Sequence, residues 1–189
     1  MRRIHVLGAA GAGKTTFGRE LARRLRATHL DTDEVYWLPT EPPYREKRPA
    51  AERIALLSER LAAVPRVVLT GSLTGWGDPL VPLLDGLIWI DTRTDVRLAR
   101  LAAREGERYG RAIEPGQPLH EHHRALLEWA AAYDAGTMPG RNRGRDERWI
   151  AASGLPMLRL DGCRETSALV DEARRWVRAR CQAPGTAGR

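Results

Sequence analysis

The 189-residue chain is poor in cysteine, phenylalanine and lysine, and it contains no long apolar run. Two cysteines, Cys163 and Cys181, cannot build a disulfide framework, so the composition reads as a cytoplasmic protein with reduced thiols. No segment reaches the roughly 20 apolar residues needed to span a bilayer, which argues against a membrane partner. The opening MRRIHVLGAAGAGKTT superficially resembles a signal peptide, but Lys14 interrupts its apolar stretch too early. Lys14 and Lys47 are the only lysines, so arginine supplies nearly all of the 31 basic residues behind the formal charge of +7. Arginine's planar fork suits phosphate and carboxylate and points to an anionic ligand. The arginines are scattered through expected helices and form no basic tail, which disfavours nucleic acid as that ligand.

Apolar runs at 3–8, 28–31, 66–71, 86–91 and 155–160 read as strands, several of them apolar throughout, as in strands covered on both faces. Between them, helical spacing marks Phe17, Leu21 and Leu25, then Ile54, Leu57 and Leu61, Leu126, Ala130 and Tyr133, and finally Leu169, Ala173 and Trp176. A further helix opens at Thr94 and runs to about Glu105, with Arg97 and Arg100 on its solvated face. Pro39, Pro42, Pro43 and Pro49 hold an irregular connection. The alternation predicts one α/β domain over 1–181, a five-stranded, mainly parallel sheet with helices on both faces, and a disordered tail at 182–189. Ligands of such sheets bind at the carboxyl ends of the strands.

GAAGAGKT, Gly8 to Thr15, matches G-x-x-x-x-G-K-[ST] between a strand and a helix. Its glycines let backbone N–H groups close on phosphate oxygens, Lys14 reaches the β- and γ-phosphates, and Thr15 offers its hydroxyl to Mg²⁺. The candidate nucleotide contacts are Gly8, Ala9, Ala10, Gly11, Ala12, Gly13, Lys14, Thr15 and Thr16. About fifteen residues later, HLDTDEVYW sets Asp31 and Asp33 two apart, on one side of the chain if it stays extended. Two carboxylates near a nucleotide can divide the labour, one ordering Mg²⁺ and one orienting an attacking hydroxyl.

The phosphate loop, LDTD after the second strand and VVLTG ending the third resemble the shikimate kinase group, within the small P-loop kinases that include gluconate and nucleoside monophosphate kinases. The resemblance implies a three-layer P-loop kinase fold with a small helical lid at about 106–120, extended by 136–148. It implies ATP and Mg²⁺ as cofactors, Thr15 and Asp31 on the metal side, and Asp33 binding the acceptor hydroxyl. By position in the lid, Arg104 is similar to the arginine that stacks on adenine, and Arg108 or Arg111 to the one that touches the phosphates. Lys14, Asp33, Arg108 and Arg111 are therefore the candidate catalytic residues. Gly162 and Arg164, after the last strand, fall where such kinases pass the adenine. Shikimate kinases carry a run of glycines after the third strand, whereas this chain has Gly71, Ser72 and Leu73, so its acceptor pocket is lined differently.

Asp33, Tyr36, Trp37, Tyr44, Lys47, Arg48, Gly71, Ser72 and Trp76 are the candidate acceptor-side residues, and the basic pair favours an anionic small molecule. The second arginine group, Arg141, Arg143, Arg145 and Arg148, reads as surface charge. LHEHHR lacks the i, i+4 histidine spacing of a zinc helix and reads as a polar helix start. The expected function is transfer of the γ-phosphoryl group of ATP to a hydroxyl. The alternatives are a nucleoside monophosphate kinase, a P-loop nucleotide-binding regulator without small-molecule kinase activity, and a nucleic-acid 5′-end kinase.

Overall fold

The computed structural model describes residues 1–41 and 43–182. Five strands, β1 (Arg3–Leu7), β2 (Thr28–Asp31), β3 (Val67–Thr70), β4 (Gly86–Asp91) and β5 (Met157–Asp161), form one sheet in the order β2-β3-β1-β4-β5. Every pairing is parallel, so the expected mainly parallel sheet is wholly parallel. The chain leaves β1 toward β2 on one side and later crosses to β4 on the other. That reversal opens a crevice at the carboxyl end of β1, where the phosphate loop lies.

The pleat of β1 divides the core in two. Ile4 and Val6 face a layer of Phe17 and Leu21 from α1 (Lys14–Leu25) and Leu169, Val170, Ala173 and Val177 from α7 (Thr166–Gln182). Leu7 faces the other layer with Val35 of α2 (Asp33–Tyr36), Leu57 and Leu61 of α3 (Ala50–Ala62), and Trp149 and Ile150 of α6 (Arg143–Ser153). His5 shares that second face, fully buried, its ring edge-on to Trp149 at 5.8 Å, and burial lowers its pKa to about 4. Two buried faces explain why these strands read as continuous apolar runs. Among the described residues, no helix is long and apolar enough to cross a membrane.

The sequence misjudged two features, the end of the helix that opens at Thr94 and the place of Arg97. Helix α4 (Thr94–Tyr109) does not stop near Glu105 but runs through Gly106, packed on α5 (His120–Ala131), before a 3₁₀ turn at Gly110–Ile113. Tertiary packing outweighs the ~1 kcal/mol helix penalty of one glycine. The last helix extends to Gln182, and the remainder of the expected tail lies outside the described residues. Arg97 is not on a solvated face: it is 0% exposed. Its guanidinium donates to Thr92 O at 3.0 Å, Ala130 O at 3.0 Å, Thr94 Oγ1 at 2.8 Å and Asp134 Oδ2 at 2.8 Å, and lies 5.3 Å from the Tyr133 ring. A helical pattern of arginines does not reveal which one finds four acceptors.

Arg97→Met keeps the apolar stem but strands these acceptors, so it is expected to destabilise the fold by about 3 kcal/mol. Chemical denaturation measures this, with Arg100→Met expected to cost much less.

Candidate active site

The phosphate loop is held by backbone contact on two sides. A Cβ at Gly8 would overlap the Ile90 carbonyl near the end of β4, and one at Gly11 would overlap the Arg97 carbonyl in the first turn of α4. Only glycine lets the loop approach that closely, and the φ of +75° at Gly11 suits it further. Ala9 and Ala12 are buried beneath the loop, Ala10 and Gly13 are half-buried, and Thr16 is exposed on α1. Ala12 O accepts from Thr92 Oγ1 at 3.2 Å and Arg100 Nη1 at 3.5 Å, which ties the loop to β4 and α4.

Two cations converge on this loop. Lys14 Nζ donates to Ala9 O at 2.7 Å, and Arg141 Nη2 donates to Gly8 O. Among the described residues Lys14 has no carboxylate at ion-pair distance, and burial together with the Arg141 charge lowers its pKa to about 7. Arg141 is thus no surface charge. Its Nε lies 3.2 Å from Asp146 Oδ2, and Asp146, 1% exposed, accepts from Tyr133 Oη at 2.7 Å and Thr74 Oγ1 at 2.8 Å. The sequence missed Arg141 because Gly8, which it reaches, and Thr74, which helps hold Asp146, are remote in the chain.

Asp31 ends β2, and the chain does not stay extended beyond it: Asp33 begins α2. The two acids share a side by another route. Asp31 Oδ1 accepts the Asp33 N–H at 3.1 Å, a turn closed by the aspartate itself. Between them Thr32 points inward, its hydroxyl accepting the Ser72 N–H at 3.1 Å, with Gly71 packed against it. Asp31 Oδ2 accepts from Thr15 Oγ1 and Thr70 Oγ1, each at 3.0 Å. Asp33 opens to the cleft, yet protein crowds its carboxyl. That desolvation, then the charge of Asp31, raises its pKa, while Lys14, Arg141 and Arg104 act in the opposite sense. Thr15 and Asp31 present adjacent hard oxygen donors that fit Mg²⁺, an ion that typically takes one or two carboxylates and completes its shell with substrate phosphates and water. No group of three His, Cys, Asp or Glu that would cage a metal by itself occurs among the described residues.

On the acceptor side, Tyr36, Trp37, Trp76 and Tyr44 form an edge-to-face chain with ring centroids 4.9–6.1 Å apart. Trp76 Nε1 donates to Ser72 O at 2.8 Å. Arg48 spends its Nε on Val35 O, and Lys47 is exposed. The better-placed cation is Arg53, overlooked in the sequence as one more helical arginine. It is 8% exposed, donates to Arg48 O at 2.5 Å, and stacks 4.0 Å from the Tyr36 centroid. No carboxylate pairs with it among the described residues.

Each lid arginine has a contact of its own. Arg104 pairs with the buried Glu105 carboxylate at 2.9 Å, and Arg108 lies 5.5 Å from the Tyr44 ring and 5.8 Å from Tyr109. Arg111, its side chain 89% exposed, pairs with Glu114 at 3.5 Å. Arg100, read as solvated, instead bridges the phosphate loop to Gly162 O at 3.1 Å. Arg164 pairs with Glu172 at 2.8 Å. Of the histidine cluster, His120 contacts Ile113 O and His122 accepts from Arg45.

A phosphate entering between Lys14 and Arg141 raises the Lys14 pKa. The part of binding that runs through Lys14 is therefore insensitive to pH well below 7, takes up protons above about 7, and weakens as pH rises further. Calorimetry of nucleotide binding at pH 8 in buffers of different ionisation enthalpy is expected to show net proton uptake.

The profile of the family described as an AAA domain matches residues 4–123. The uncharacterized protein YqaC of Bacillus subtilis is 39% identical over 160 residues, covering 85% of this chain and 88% of its own. A shikimate kinase of Corynebacterium glutamicum is 28% identical over 174 residues, covering 84% and 97%. Among solved structures, shikimate kinase from Bacteroides thetaiotaomicron superposes with a TM-score of 0.58 at 16% identity, over 94% of this chain and 98% of that one, a likeness of fold. Loop, sheet order and relatives agree, and the chain belongs to the AAA-domain family, in the group of small P-loop kinases that holds the shikimate kinases.

Proposed function

We propose that the protein is an ATP- and Mg²⁺-dependent kinase that transfers the γ-phosphoryl group to a hydroxyl of a small anionic molecule. The observation that carries this reading is the placing of the Asp33 carboxyl, open to the cleft, beside the Thr15–Asp31 pair and within the field of Lys14. Lys14 and the loop N–H groups hold the triphosphate, and Arg141 adds a second cation where charge spreads over the transferring group. Mg²⁺, when bound through Thr15 and Asp31, supplies neutralisation of the phosphate oxygens. Asp33 accepts the hydroxyl proton, a task its raised pKa favours. Arg53, with no acidic partner among the described residues, receives the acceptor's own anion, and Trp37, Tyr44 and Trp76 wall the pocket. In this reading the region around 106–120 closes as a lid within one domain, and the free Cys163 and Cys181 suit a reducing cytoplasm. A nucleoside monophosphate kinase is the second reading, favoured by Arg104 and Arg141 both acting on the Asp33 site.

The test is ATP turnover with a panel of hydroxylated carboxylates, sugar phosphates and nucleoside monophosphates. One class is expected to stimulate turnover, and nucleotide binding with no stimulation by any would instead favour a regulator. Lys14→Ala is expected to abolish transfer. Asp33→Asn is expected to lower kcat by about 10²–10⁴ while ATP affinity changes little; equal losses in both remove Asp33 from the base role. Because the proton-accepting form of Asp33 is lost on the acid side, the kcat/KM profile for the acceptor is expected to fall at a pH above the usual carboxylate value near 4. Arg53→Met is expected to raise KM for an anionic acceptor with a smaller change in kcat.

A further inference from the structure

His29 and Asp31 stand two apart on β2, so the pleat sends both side chains to the side covered by α1. Thr70, the last residue of β3, lies opposite Asp31 in the parallel register. His29 Nε2 is 3.0 Å from Thr70 Oγ1, which is 3.0 Å from Asp31 Oδ2, the oxygen that also accepts from Thr15 Oγ1 at 3.0 Å. The space for this chain comes from α1: a Cβ at Gly18 would overlap Thr70 Cγ2 and press on the His29 ring.

Counting hydrogens gives the chain a direction. Thr70 has one hydroxyl hydrogen, and an ionised Asp31 can only accept. If Thr70 gives its hydrogen to Asp31, its lone pairs are left to accept from His29 Nε2–H. The order is then His29 to Thr70 to Asp31, with Thr15 donating from the other end. Without the imidazole donor, the Thr70 hydroxyl is free to turn to Leu30 O, 3.4 Å away. With it, Oδ2 carries two hydroxyl donors and Oδ1 the Asp33 N–H, so the carboxylate cannot rotate, and Thr15 keeps its hydrogen on Asp31 and its lone pairs toward the phosphate loop.

We propose that His29 is a positioning residue for the cation side of the site, fixing the Thr70 hydroxyl on Asp31 so that Thr15 and Asp31 are held ready for a divalent ion. This rests on the Mg²⁺-nucleotide reading above and adds a residue that the phosphate-loop and D-x-D motifs do not contain.

The test measures cation binding without turnover. Free Mn²⁺ is counted by electron paramagnetic resonance as it is titrated into the full-length protein with a non-hydrolysable ATP analogue, and metal-free binding of the analogue is measured separately. His29→Leu and Thr70→Val are expected to weaken Mn²⁺ binding roughly tenfold while metal-free analogue affinity stays unchanged. His29→Gln, which keeps an N–H donor, and Thr70→Ser, which keeps the hydroxyl, are expected to restore most of it. Unchanged Mn²⁺ affinity in His29→Leu, with wild type binding normally, overturns the role of His29 and leaves the kinase reading intact. Analogue binding by wild type with no Mn²⁺ uptake overturns the cation site itself and this proposal with it. Should Thr70→Val fail to fold, the His29 pair of variants decides alone, since His29 lies half-exposed on the edge strand.

Discussion

The close approach of the phosphate loop to its neighbours governs the rest of the molecule. Gly8 lies against the Ile90 carbonyl near the end of β4, and Gly11 against a carbonyl in the first turn of α4. Side chains at either position would push the loop off both elements, and its N–H groups would lose their common focus. The loop therefore takes its shape from the sheet and from α4 before any ligand arrives. Arg97 fixes the start of α4 from the other side by joining it to Thr92, Ala130 and Asp134. One buried guanidinium thus holds the helix on which the loop leans, and an enzyme that positions phosphate must have such rigidity.

Around that loop, charge is arranged so that an anion relieves it. Lys14 rests on the carbonyl of Ala9, a polar partner that does not neutralise it, and Arg141 rests on the carbonyl of Gly8 while pairing with Asp146. Asp31 and Asp33 lie across from them, with Asp31 immobilised by three donors and Asp33 open to the cleft. Differential environment separates two chemically identical acids. The saturated one is suited to an ordering role, and the crowded, electrostatically raised one to taking a proton.

Arginine illustrates where reading residues in order fails. The chain's arginines look alike in a helical pattern, yet their fates diverge: Arg97 is a buried brace, Arg53 a buried cation stacked against aromatic rings, Arg141 a loop cation, and Arg111 a solvated side chain. What separates them is the set of acceptors met across the fold. Asp146 aims Arg141, and Thr74 and Tyr133 hold Asp146, so the position depends on three segments that a linear scan treats separately.

The sequence by itself determined the strands and the phosphate loop, because both are local. A continuous apolar run is a strand covered twice, and the glycine spacing before Lys14 encodes a backbone path that few other residues can follow. It also put Asp31 and Asp33 on one side of the chain, though through extension rather than the turn closed by Asp31 itself. Only the tertiary structure decided which cations reach the site, how far α4 runs, and that His29 and Thr70 stand behind Asp31. Those outcomes depend on pairings between residues tens of positions apart, where a difference of one acceptor or one packed ring outweighs local preference.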